Sequence, residues 1–322
     1  MTRPRLRPRF GLNTTLLAVL LGFVVGACSP GATGAPDASP GTATASPSAD
    51  AVPVVATSTV LADLVRSVGG ARVAVSSLVP RGGEVHTYDP SPSDLARLRD
   101  ARLVVMNGLG LDDWLVEQVS ASGSQAQVIE LGRDLDGVAY LGADEVEDDA
   151  GVNPHLWLDV AHARRYVMRI AEALAATDPA GAATHEAGRA AYDGRLANLD
   201  DWIRAEVAGV PEANRRIVSF HEAYPYYAAA YGLEIVGVIV EAPGQDPSAG
   251  EIAELVEAIR ASGVRAVFTE AQFSPELAEA VAGEAGVKVV TDLYNDSLGD
   301  PPVDTYEAMM RWNTTRTVEA LR

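Results

Sequence analysis

The sequence predicts an α/β protein of two lobes, each a parallel sheet flanked by helices, joined by one long rigid helix. Three observations carry this. Short Val-rich runs alternate with helix-like segments from Val52 to Leu131, the pattern of βαβ units and a parallel sheet. The same alternation resumes from Ile217 to the C-terminus. Between the two, Tyr192, Leu196, Leu199, Ile203 and Val207 recur every three or four residues, which makes one apolar stripe along a helix.

The chain before the first strand stands apart. Arg3, Arg5, Arg7 and Arg9 precede an apolar run from Leu16 to Val25 and the small residues Gly26 and Ala27. Residues 1–27 therefore read as a signal peptide; the run falls short of the roughly 20 apolar residues that a membrane span needs. Val25-Gly26-Ala27-Cys28 resembles the bacterial lipobox, which makes Cys28 a lipidated N-terminus. It is the single cysteine of the chain, so an internal disulfide is excluded. Cys28 and the Gly, Ala, Ser, Thr and Pro that follow it, through residue 51, read as a disordered tether with a reach of roughly 25 Å.

Charge narrows the function classes. The whole chain carries −19, and removing the four leader arginines leaves −23. Such a surface repels nucleic acid and anionic headgroups and attracts cations. The acidic run from Asp144 to Asp149 reads as a solvated loop.

The remaining chain divides at residues 52–177, 178–210 and 211–322. In the first part, strands are expected at Val54–Thr57, Arg72–Val79, Leu103–Met106 and Gln127–Leu131. Helices are expected at Val60–Val68, Pro92–Arg99 and near Asp112–Val119. Asp159 is placed to cap a helix carrying Val160, Val167, Ile170 and Leu174. The long helix starts with Asp178 and Pro179 and stops at Gly209 and Pro211; some 30 residues give a rod of roughly 45 Å. In the last part, strands are expected at Ile217–Phe220, Ile235–Val240, Ala266–Thr269 and Val287–Thr291. Helices are expected near Ala223–Ala230, Ala249–Ala261, Pro275–Ala282 and Thr305–Leu321.

Ligands bind parallel sheets at the carboxyl ends of their strands, and four coordinating side chains fall at such places. His86 follows the second strand, and His155 sits in Asn153-Pro-His-Leu-Trp-Leu-Asp159, where Pro154 stiffens the backbone. His221 ends the first strand of the second half, and Asp292 ends the last strand. Two precede the long helix and two follow it, which places the site in the interlobe cleft. Three imidazoles and a carboxylate suit a borderline divalent cation. Glu270 ends another strand and is the reserve ligand or a partner behind the ligands. Asp94 reads as the third residue of a helix capped by Ser91, Asp89 as a turn residue, Glu222 as part of a first helical turn, and His162 and His185 as surface residues.

Five segments together resemble the zinc and manganese solute-binding lipoproteins of ABC transporters. They are His86-Thr-Tyr-Asp-Pro-Ser-Pro-Ser-Asp94, Asn107-Gly-Leu-Gly-Leu111 with Trp114, Asn153 to Asp159, His221 with Tyr226-Tyr227, and Tyr306-Glu-Ala-Met-Met310. The resemblance runs from Val52 to the C-terminus. It implies two α/β lobes on one long helix, a cation between them, and delivery to a membrane permease. It assigns the ligands by position to His86, His155, His221 and Asp292. Members resembling zinc binders carry histidine in the third place, where manganese binders often carry glutamate; this chain has His221 and lacks the His-rich acidic loop of some zinc members. Zn2+ is the expected cargo, with Mn2+ the alternative, and a monomer anchored to the outer face of the cell membrane the expected form. Two rival classes remain. A zinc metallohydrolase needs an open coordination position and a general base, and the sequence holds neither a His-Glu-x-x-His helix nor a Gly-x-Ser-x-Gly elbow. A surface adhesin lipoprotein would leave the histidines incidental.

Overall fold

A computed structural model describes residues 46–142 and 151–322. The signal peptide, Cys28, most of the tether and the acidic run fall outside the described residues. Among the described residues no helix is long and apolar enough to cross a membrane.

The first sheet is built from β1 (Val52–Ala56), β2 (Val73–Ser77), β3 (Leu103–Met106) and β4 (Gln127–Glu130), with α1 (Thr59–Gly69), α2 (Pro92–Asp100) and α3 (Trp114–Ser122) between them. All pairs are parallel and the order is β2-β1-β3-β4. β3 is buried along its whole length, whereas Gln127 and Val128 of the edge strand β4 are exposed; a central parallel strand covered on both faces has no polar side to show. Ser58 caps α1 by accepting the Leu61 N–H at 3.3 Å, and Asp94 closes a capping box on α2 by accepting the Ser91 N–H at 2.7 Å.

Two long helices follow, α4 (Val160–Thr177) and α5 (Ala182–Ala208). Asp159 caps α4 as expected, its carboxylate accepting the Ala161 N–H at 2.8 Å. α5 has 27 residues, a rod of about 40 Å. The short 3-10 turn Pro179–Gly181 precedes it, and Asp178 caps that turn rather than the helix itself. All five stripe residues of α5 are buried. Gly188 on α5 is required by proximity: a Cβ there would lie 2.1 Å from the Val68 carbonyl oxygen of α1.

The second sheet repeats the first: β5 (Arg216–Ser219), β6 (Glu234–Val238), β7 (Ala266–Glu270) and β8 (Lys288–Leu293), parallel in the order β6-β5-β7-β8. α6 (Pro225–Tyr231), α7 (Ala249–Ser262) and α8 (Glu276–Ala285) connect its strands, and α9 (Tyr306–Leu321) ends the chain. One continuous core joins α1, α4, α5 and α9 with residues of both sheets. The two halves therefore share the buried stripe of α5 instead of each sealing a separate core.

Two histidines differ from expectation. His185 is fully buried, because the first turn of α5 backs onto the α4–α5 corner. Its Nε2 lies 3.1 Å from Asp178 Oδ2, and the same carboxylate accepts Arg72 Nε at 2.7 Å and Nη2 at 2.8 Å. His162 is half-buried, 3.7 Å from the Asp159 carboxylate and edge-on to Tyr226.

Leu196 sits fully buried in the middle of the α5 stripe. Truncation of such a leucine leaves a cavity, so Leu196→Ala should cost about 3 kcal/mol in urea denaturation. A loss below about 1 kcal/mol would mean that the stripe does not carry the shared core.

Candidate metal centre

His155 is held from all sides. Asn153 Oδ1 accepts the His155 N–H and lies 3.1 Å from His155 Nδ1. This contact keeps the proton on Nδ1 and leaves the Nε2 lone pair for a ligand. The carbonyl of Pro154 accepts Asn107 Nδ2 at 3.0 Å, and Asn107 Oδ1 accepts the Tyr166 hydroxyl at 2.6 Å. Asn107 in turn heads a left-handed turn: Gly108, Leu109 and Gly110 have φ of 77°, 58° and 81°. Buried Asp112 secures that turn by accepting the N–H groups of Asn107 and Gly108 at 2.8 and 2.7 Å. Burial pushes the Asp112 carboxyl up to about 6. From below, Trp157 packs 5.3 Å from the His155 ring, and the Trp157 carbonyl accepts the Tyr306 hydroxyl at 2.6 Å.

His86 lies on the loop between β2 and α2. Glu84 Oε1 accepts its backbone N–H at 2.9 Å, and Trp114 Nε1 donates to the neighbouring Val85 carbonyl at 3.2 Å. The far end of the loop is pinned where Asp94 accepts the Tyr88 hydroxyl at 3.0 Å. His221 stands two residues past the end of β5. Glu270 Oε1 lies 3.4 Å from its Nδ1, so Glu270 sits behind the imidazole.

The structure brings His86, His155 and His221 together with Asp296: one donor atom of each lies within 4.8 Å of all the others. Asp296 Oδ1 is 3.3 Å from His155 Nε2, and Oδ2 is 3.7 and 3.8 Å from Nε2 of His86 and His221. Donors bound tetrahedrally at about 2.1 Å stand about 3.4 Å apart, so these spacings suit a shared cation. His86 Nε2, His155 Nε2 and both Asp296 oxygens are buried without a hydrogen-bond partner. Unpartnered buried polar atoms are rare and costly.

Asp292, the carboxylate expected here, is not part of the cluster. β8 runs on to Leu293, and Asp292 turns towards α9, where Arg316 Nη2 donates to its Oδ2 at 2.6 Å and Trp312 Nε1 to its carbonyl at 2.7 Å. The chain needs the further residues Leu293 to Asn295 to reach the cleft. Asp296 falls in Asn295-Asp296-Ser297, which reads as an ordinary turn in sequence. The available signal was positional: His86 and His221 also lie on loops beyond their strands, not on the last strand residue.

Electrostatics follow from burial and proximity. Burial pushes His86 down to about 4, against the pull of Asp296. Burial also opposes charge on His221, but Glu270, then Asp296 and Glu84, outweigh it and raise His221 to about 9. Burial would raise Asp296, yet His155, His86 and His221 together hold it below the usual carboxylate range. Burial and the Asp296 charge push Glu84 up to about 7.

A two-sheet α/β protein that converges three imidazoles and a carboxylate from loops beyond both sheets is built as a cation receptor. The chain belongs to the family of ZnuA, the zinc-uptake complex component A, periplasmic, whose model it matches over residues 54–320. Among its relatives, the manganese-binding lipoprotein MntA of Halalkalibacterium halodurans is 32% identical over 263 residues, 81% of this chain and 85% of that one. The iron ABC transporter substrate-binding lipoprotein MtsA of Streptococcus pyogenes is 27% identical over 316 residues, 96% of this chain and 98% of that one. The periplasmic zinc binding protein TroA from Treponema pallidum superposes with a TM-score of 0.76 at 26% identity, covering 83% of this chain and 98% of TroA. A Mn-bound periplasmic metal binding protein from Candidatus Liberibacter asiaticus gives 0.74 at 25% identity, covering 84% and 99%.

Two outcomes check the site. Asp296→Ala should weaken zinc binding at least about 100-fold, since it removes the only charged donor, while Asp292→Ala should leave it within about threefold; equal losses in competition titrations would restore Asp292. Below about 9, His221 carries a proton that a metal must displace. Zinc affinity should therefore fall as pH falls, His221 alone contributing about tenfold per unit between pH 8 and 5, with one proton from it released per metal at pH 7. Calorimetry in buffers of different ionisation heat reads this directly; a binding heat independent of buffer would contradict it.

Proposed function

We propose that the chain is an extracytoplasmic solute-binding lipoprotein that captures a divalent transition metal and delivers it to an ABC permease for uptake. The observation that carries this reading is the convergence of four buried donors, His86, His155, His221 and Asp296, most of them without any other hydrogen-bond partner. Zinc is the first cargo in this reading and manganese the second. Three imidazoles with one carboxylate favour a borderline ion, whereas manganese prefers more oxygen, and the family description names zinc. The MntA and TroA names, manganese-binding and zinc binding respectively, keep both metals in the proposal.

Catalysis is no part of the proposal. Four protein donors fill a tetrahedral set, where a hydrolytic zinc keeps one position for water. Glu270 acts behind His221, orienting the ring and raising its basicity as carboxylates behind zinc-bound histidines do. Cys28 carries the lipid anchor and the segment through residue 51 is the tether, which sets the protein at the outer face of the membrane, as the lipoprotein names of MntA and MtsA support; in this reading it works as a monomer.

Competitive titration of the metal-stripped chain with zinc and manganese, counting bound metal by elemental analysis, tests the reading. One tight zinc per chain is expected, and metal at 1,000 times its dissociation constant should add about 4 kcal/mol of stability. Selective manganese retention would change the cargo; no stoichiometric metal of either kind would end the transport reading. Because α5 and the shared core bind the halves together, loading should bring modest closure rather than wide hinge motion. Scattering profiles of stripped and loaded protein that differ by a large domain rotation would contradict this.

A further inference from the structure

Asp296 belongs to the C-terminal sheet by sequence, yet the loop that carries it is fastened to the N-terminal half. Ser297 Oγ accepts the Gly82 N–H at 2.8 Å and lies 3.2 Å from both the Thr59 hydroxyl and the Pro80 carbonyl. The Leu298 N–H donates to Thr59 Oγ1 at 2.8 Å, and Arg81 Nη1 donates to the Gly299 carbonyl at 2.5 Å. On the other side of Asp296, the Asn295 carbonyl accepts Trp157 Nε1 at 2.9 Å. Thr59 opens α1, Gly82 follows β2, and Trp157 adjoins His155. Both neighbours of Asp296 are thus bonded to the half that also holds His86 and His155.

Bonds back to the C-terminal half come from the side chain of Asn295, whose Nδ2 also lies 3.4 Å from His221 Nε2, and from Tyr294 before it. The Asn295 side-chain amide donates to Glu270 Oε1 at 3.2 Å, its Oδ1 accepts Gln272 Nε2 at 3.2 Å, and the Tyr294 N–H donates to Asn313 at 3.0 Å. His221, by contrast, continues directly from β5, with the preceding Phe220 carbonyl accepting the Val240 N–H at 2.8 Å beside β6. The turn after His221 is tied across the cleft by Asn153, whose Nδ2 donates to the Glu222 carbonyl at 2.6 Å and whose carbonyl accepts the Tyr226 hydroxyl at 3.1 Å.

Resting on the metal reading of the site, we propose that Thr59 and Ser297 are positioning residues that fix Asp296 to the N-terminal half. His86, His155 and Asp296 then form a three-donor half-site on one body, and His221 is the one donor carried by the second sheet. Incoming cation meets the half-site as a preformed set with its negative charge in place. Exchange turns on His221, whose departure leaves the cargo on three donors.

Cobalt(II) on the purified full chain is the probe, because its visible absorption reports donor number and geometry. His221→Ala should keep one cobalt per chain, with altered bands and release to a chelator about tenfold faster or more. The double variant Thr59→Val, Ser297→Ala keeps all four donors and should show changed bands and release about tenfold faster, as lost hydrogen bonds to a positioned group imply. Thr59→Ser, which keeps the hydroxyl, should match the parent protein. Should the double variant not fold by circular dichroism, Ser297→Ala alone is scored by the same criteria. Loss of all cobalt from His221→Ala, or parental bands and release in the folded Thr59/Ser297 variant, would overturn the inference while leaving the four-donor site standing. Parent protein that takes up no cobalt, zinc or manganese would overturn the metal reading itself, and the half-site with it.

Discussion

A fully buried carboxylate with neither oxygen hydrogen-bonded is the constraint on which the rest of this structure depends. Asp296 is 0% exposed, and an isolated ionised carboxylate in such a place is untenable unless positive charge meets it. His221, raised against its burial to about 9 by Glu270, Asp296 and Glu84, supplies that charge in part when protonated. A divalent ion supplies it fully. The site is therefore an electrostatic problem with two solutions, proton or metal, and capture is the exchange of one for the other.

Holding four such donors at ligand distances requires a frame that does not relax away from them. The segments that carry the family resemblance provide that frame. Asn107 to Leu111 forms a left-handed turn whose Asn107 amide supports the Pro154 carbonyl. Trp114 supports the loop of His86, and Tyr306 supports Trp157 beneath His155. None of these residues offers a donor to the cation. Each instead uses a hydrogen bond within the protein to fix the backbone beside one that does, the arrangement by which outer partners tune a metal site.

The fold was legible because its signals are periodic. The stripe on α5, the Val-rich strands and the caps Ser91 and Asp159 each report a local preference that the tertiary structure keeps. Three of the four donors were legible because they are histidines in a chain with only five, His86 and His221 on stretches that follow strands and His155 behind Pro154. The fourth was not. Aspartate and glutamate number 44, so a carboxylate carries little information by type. The strand-end rule selected Asp292, which instead pairs with Arg316 on the side of β8 facing α9. The course of the loop after β8 is set by hydroxyl-to-backbone bonds from Thr59 and Ser297, residues 238 positions apart. His185 was misread for a similar reason: its burial comes from Arg72 and Asp178 meeting at a corner, which no periodicity on α5 announces.

The same reasoning bears on selectivity. Solved structures that superpose on this chain include a manganese-bound protein and a zinc binding protein of one fold, so the scaffold itself does not choose the ion. The choice falls to donor chemistry and to how far the donors can give. Here three of the donors are ring nitrogens, their ring centroids 5.3 to 5.9 Å apart, and only the carboxylate has a second oxygen to offer. An ion content with four donors is served by one Asp296 oxygen; an ion that demands more oxygen must take both and draw the Asp296 loop with it. That loop is tied on either side of Asp296. Restraint at this one carboxylate, rather than the number of histidines alone, is the physical basis on which the site would discriminate between ions.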